Sequence, residues 1–82
     1  MEAKPGMIVR SLAGRDKGRF LAVVSASEGF VFLADGKERK LASPKKKNEK
    51  HIAPTKTVID ISNLTDRGLR TALQKFQGGE DA

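Results

Sequence analysis

Apolar and polar positions alternate along this chain in a way that predicts several short strands followed by one helix. Gly6 to Ser11 (G-M-I-V-R-S) reads as a first strand, approached through Pro5 with its fixed φ and missing donor. Phe20 to Ser25 predicts a second strand in which both alternating sets, Phe20/Ala22/Val24 and Leu21/Val23/Ser25, are largely apolar, so both faces should be covered. Ala26-Ser27-Glu28-Gly29 is a turn, and Phe30 to Ala34 repeats the continuous apolar run. Asp35-Gly36 is a strong two-residue hairpin signal, because a type I′ turn needs positive φ at both central positions. Lys37 to Leu41 should then pair back as a fourth, edge strand whose cations discourage intermolecular pairing.

Beyond Leu41 the chain changes character. Residues 43–54, with Ser43-Pro44-Lys45-Lys46-Lys47-Asn48-Glu49-Lys50-His51 at their centre, have almost nothing to bury and read as a loop or extended arm closed by Pro54. Thr57 to Ile61 is β-branched enough to return to the sheet as a fifth strand. A helix is expected from Asp66 to Phe76, capped by Thr65 or Asn63 and stopped by Gly78-Gly79. Leu69, Ala72, Leu73 and Phe76 form its apolar stripe at i, i+3, i+4 and i+7, and the surplus apolar face of the second and third strands is the place for it to lie. Gly79 to Ala82 is expected to be a frayed acidic tail. The sum is a mainly β fold, a small SH3-like barrel of about five strands over 1–62 with one C-terminal α-helix in 63–82. An OB-fold is the rival, but it usually places its helix between the third and fourth strands.

Charge sharpens this picture. The 82 residues carry a net +6. Residues 1–57 hold 13 Lys and Arg against 6 Asp and Glu, a net +7, whereas residues 58–82 hold 3 against 4, a net −1. The positive field belongs to the barrel, and polyanions such as RNA are its natural partners. Membrane binding would call for a basic amphipathic helix or an apolar span, and neither is found, so no membrane partner is expected. The chain has no cysteine, which removes disulfides and thiolate metal sites, and residues 1–7 lack a signal-like apolar region; a cytoplasmic location is the expectation.

The candidate RNA-binding residues fall in three groups. Arg15, Lys17 and Arg19 sit in a loop shaped by Gly14 and Gly18, where Arg supplies a planar bidentate fork and Lys a point charge for phosphate. Asp16 should anchor that turn by accepting backbone N–H bonds. Lys37, Arg39 and Lys40 lie on the expected edge strand. Lys45, Lys46, Lys47 and Lys50 form the densest cluster, with Asn48 able to bond a base or 2′-hydroxyl and His51 able to stack or bond phosphate. A lone histidine without a carboxylate cluster is a poor metal site, and no cofactor is expected. Phe20, Phe30, Phe32 and Phe76 are assigned to the core, not to base stacking. With no P-loop, no cysteine and scattered acids, catalysis has no residues to rest on, and a non-catalytic module is expected.

Three segments together resemble a known family. Gly6 to Val24, a strand, a basic loop with glycine after Lys or Arg, and an apolar strand, is similar to the KOW motif of ribosomal proteins and transcription elongation factors. Ala34 to Leu41 (A-D-G-K-E-R-K-L) and Pro44 to His51 (P-K-K-K-N-E-K-H) extend the likeness to a small bacterial KOW-domain group of RNA-binding proteins, related to a large-subunit ribosomal protein family of archaea and eukaryotes. The resemblance covers roughly Pro5 to Ile61. It implies an SH3-like barrel that binds ribosomal or other structured RNA. The alternative from the residues alone is a protein-interaction module docking on a ribosomal or transcription component through the barrel and the apolar helix.

Overall fold

A computed structural model describes residues 3–79 and, within the helix, side chains as far as Phe76. Five antiparallel strands form one sheet: β1 (Met7–Ser11), β2 (Phe20–Ser27), β3 (Phe30–Ala34), β4 (Lys45–Asn48) and β5 (Ile52–Val58), in the order β4-β3-β2-β1-β5. The helix α1 (Asp66–Gly79) follows the last strand. This is the mainly β, small barrel-like fold with a C-terminal helix that the sequence predicts. Curling of the sheet is visible in one contact. Although β4 and β1 are three places apart in the strand order, Lys47 Nζ on β4 lies 2.8 Å from Ser11 Oγ on β1.

The doubly apolar character of β2 divides the core in two. Leu21 and Val23 face inward with Val9, Val31, Leu33 and Ile52, filling the concave side. Phe20 and Ala22 face outward with Ile8 and Ala34, and Leu69 and Leu73 of α1 close over them. Half-buried Val24, Leu41, Ile59, Leu64 and Phe76 rim this second core, with the Phe76 ring centroid 5.4 Å from that of Phe20. Burying Leu69 and Leu73 contributes about 2 kcal/mol each, which holds the helix on the sheet. Its start is held by Thr65, whose Oγ1 accepts from the Gly68 N–H at 3.0 Å, so Thr65 and not Asn63 is the cap.

The fold departs from the expected one at four places. The fourth strand is Lys45–Asn48, not Lys37 to Leu41: one Asp35 carboxylate oxygen accepts the backbone N–H groups of Lys37 and Arg39, at 2.8 and 2.9 Å, and bends the chain. The Asp35-Gly36 pair therefore opens a longer loop, 35–44, in which Gly36 alone of the two has positive φ. The expected arm 43–54 is ordered structure, comprising β4, a 3₁₀ turn over Glu49–His51 and the start of β5. The fifth strand begins at Ile52 and ends at Val58, because Ile52 fills the inner core while Pro54 is tolerated in an edge strand. Finally, α1 continues through Gly78 and Gly79; the acidic tail beyond, 80–82, lies outside the described residues.

Candidate nucleic-acid interface

The site is built on loop 12–19, between β1 and β2. Gly14 and Gly18 have φ of +86° and +87°, a region L side chains rarely adopt, and this is the loop-shaping role their spacing predicts. The loop closes on itself through Lys17 N–H to the Gly14 carbonyl (3.2 Å) and Arg19 N–H to the Asp16 carbonyl (2.9 Å). At its base, the Leu12 N–H donates to the His51 carbonyl at 2.8 Å.

Lys47 fixes this loop from the other side of the barrel. It pairs with Val31 across β3 and β4 and so points inward, where it is only 8% exposed. Its ammonium has three donors and three partners: Asp16 Oδ1 at 2.6 Å, Ser11 Oγ at 2.8 Å and the Ala13 carbonyl at 2.8 Å. Ser11 donates to the same carboxylate oxygen at 2.7 Å. Burial pushes the Asp16 carboxyl upward, but the hydrogen bonds from Lys47 and Ser11, with the charges of Lys47 and Lys45, outweigh it and hold the group below its ordinary value. Two expectations are corrected here. Lys47 is an internal strut whose donors are all engaged, not part of an exposed cationic arm, and Asp16 anchors the loop through side-chain donors instead of backbone N–H groups.

The remaining cations are distributed unevenly. Arg15, Arg19, Arg39 and Lys45 line one cleft of about 310 Å³, floored by Leu21 and edged by Asp16, Asp35 and Glu38. Residues more than twenty positions apart are brought together because the 35–44 loop and the start of β4 lie beside loop 12–19. A second cleft shares Arg19 and Asp35 and adds Lys37, Arg70 and Gln74. Lys17, Lys40, Lys46, Lys50 and His51 line neither cleft, and all five are exposed. Asn48 caps the 3₁₀ turn, its side-chain oxygen accepting the Lys50 N–H at 2.9 Å.

Arg70 and Gln74 were invisible to sequence reasoning, because a net-acidic C-terminal segment gave no reason to place cations beside the barrel's. The helical period of α1 offered a signal. Arg70 follows the buried Leu69 by one position and so flanks the stripe on the side facing loop 35–44, and its Cγ sits against Gly36. Phe30 and Phe32 are also misplaced by the sequence reading. Both project from the outer side of β3 and belong to neither core, Phe30 being 37% exposed. Among the described residues, no helix is long and apolar enough to cross a membrane. No protein-family model matches this chain, and no curated protein was found to match it.

Proposed function

We propose that this protein is a non-catalytic RNA-binding module that holds structured RNA by its backbone phosphates. The observation that carries this reading is the convergence of Arg15, Arg19, Arg39 and Lys45 on one cleft. Guanidinium groups are preorganised for bidentate contact with phosphate oxygens, and several on one wall suit a ligand carrying regularly spaced charge better than a single anion. Asp16, Asp35 and Glu38 edge the same cleft; the first two carboxylates are already engaged by hydrogen bonds within the protein, which limits their repulsion of phosphate, while Glu38 is exposed and leaves the four cations in excess by one. Recognition through the backbone makes shape, not base sequence, the main determinant. The likeness of Gly6 to Val24 to the KOW motif supports the same reading and makes ribosomal RNA the first ligand to try, met in the cytoplasm. The competing protein-docking reading loses much of its surface, since Leu69 and Leu73 are buried against the protein's own sheet.

The test is affinity against salt. With about five phosphates neutralised, log K should fall against log salt with a slope of roughly −3.5 to −4.5. Replacing Arg15, Arg19 and Arg39 by alanine together should flatten that slope by about two to three units while the fold survives, because all three side chains are exposed. A salt-independent affinity, or equal binding to duplex DNA and structured RNA, would overturn the proposal.

A further inference from the structure

The helix α1 covers only part of the sheet's outer face. Ala34 lies beneath it in the outer core, but Phe32 and Phe30, two and four residues earlier on the same side of β3, belong to neither core. Cross-strand pairing surrounds the two rings with polar groups. Phe32 is opposite Ser25 on β2 and Lys46 on β4, and Phe30 is opposite Ser27 and Asn48. Phe30 is 37% exposed and Phe32 half-buried, so neither ring is closed off by a core of the protein's own. Lys46 Nζ rests 4.2 Å from the centre of the Phe30 ring, which keeps that ring partly screened from water.

From this arrangement we infer a base-stacking platform: Phe30 and Phe32 receive unpaired bases of a single-stranded RNA segment whose phosphates are held nearby. The inference rests on the phosphate-binding reading above. Residues two apart on one face of a strand are about 6.6 Å apart, roughly twice the 3.4 Å rise of stacked bases in one strand. The two rings therefore suit splayed bases and not a continuous stack or a paired duplex. Lys46 has the reach and charge to leave Phe30 for a phosphate, exposing the ring as the backbone arrives. Lys45, which strand alternation turns to the opposite face of β4, lines the arginine cleft, so one strand carries both the platform's cation and a wall of the phosphate site. The occupant is identified by charge and shape: π-faces beside a cation and hydrogen-bonding Asn48, Ser25 and Ser27 match a nucleobase joined to an anionic backbone.

The test separates bases from phosphates. Affinity of the full chain is measured at fixed salt for oligouridylate and for an abasic ribose-phosphate strand of the same length. The wild-type protein should prefer the base-bearing strand by roughly 5- to 150-fold, as one stacked base provides. Phe30→Leu with Phe32→Leu, folding being checked by thermal melting, should bring that preference close to unity and leave affinity for the abasic strand unchanged. Phe30→Tyr with Phe32→Tyr should restore it. No base preference in the wild type, or a preference untouched by the leucine pair, overturns the platform while salt-dependent binding leaves the phosphate reading standing. Absence of salt-dependent binding to either strand overturns that reading and the platform with it. A concentration-dependent dimer abolished by the leucine pair, without base preference, assigns the face to a second copy and also overturns the platform.

Discussion

The two loops that wall the arginine cleft carry similar cations but are held by different physics. Loop 12–19 is fixed by charge: Asp16 meets the ammonium of Lys47, drawn from the opposite edge of the sheet into the barrel. Loop 35–44 is fixed by its own backbone: Asp35 accepts two N–H groups of the loop, Asp35 and Gly36 both donate to the Arg39 carbonyl, and Leu41 donates to Asp66 of α1 at 2.7 Å. The first arrangement needs a negative charge at its centre. The second needs an acceptor and a glycine. A cleft assembled from both is positioned jointly by electrostatics and by backbone shape, and each contribution can be removed separately.

Asp16→Asn should have the largest effect, because it leaves the Lys47 ammonium buried without a counter-charge. The expected loss is about 2–3 kcal/mol in chemical denaturation, below the most costly buried pairs since Asp16 keeps some contact with water. pH tests the same point. The Asp16 carboxyl is held below its ordinary value in the folded protein, so its contribution is fully present above about pH 4 and disappears as pH falls through the lowered value. Acid unfolding of the wild type should include this loss and that of Asp16→Asn should not, so the two stability curves converge at low pH. Curves that stay parallel through the acid range would mean that loop 12–19 is not held by charge.

Gly36→Ala comes next and attacks the other loop. Gly36 has φ of +80°, and a Cβ there would run into the Asp66 carbonyl oxygen and the Arg70 side chain. Strain of this kind costs about 2 kcal/mol and should be independent of pH. Because Gly36 packs on Arg70, the second cleft should also widen, and a salt slope measured with RNA should flatten slightly in this variant. A melting temperature equal to the wild type's would show that loop 35–44 is free to move away from α1.

What could be read from the sequence, and what could not, follows from how local the causes are. The three apolar strands and the stripe on α1 were legible, and the cap was narrowed to Thr65 or Asn63, since each depends on residues within one or two turns of chain. The two-sided apolar pattern of β2 correctly anticipated a core on each face. Lys47 was not legible. In a run of four polar residues nothing distinguishes the lysine that points inward, and its partner Asp16 lies 31 residues earlier. Asp35-Gly36 misled for a related reason: the hairpin rule considers only the turn, whereas the Asp35 carboxylate and the distant Asp66 carbonyl decide the path. Phe30 and Phe32 looked like core because their run is apolar throughout. Whether the outer half of such a run is covered depends on the footprint of α1, which no local pattern encodes.

Asp35→Asn should have the smallest effect, and it is the most direct control on the difference between the loops. The substitution is the same as at Asp16: a carboxylate becomes an amide of nearly equal shape. At Asp35 the group's task is to accept the backbone N–H groups of Lys37 and Arg39 through one oxygen, and no cationic partner is buried against it. An asparagine carbonyl accepts the same bonds in the same local geometry. The expected cost is therefore below about 0.5 kcal/mol, the usual range for an exposed change that preserves its contacts. A loss comparable to that of Asp16→Asn would mean that loop 35–44 also depends on charge, through its carboxylate and the arginines Arg19 and Arg39 of the shared cleft. In that case the two loops would form one electrostatic unit, and the pH dependence assigned to Asp16 alone would have to appear in the Asp35 variant as well.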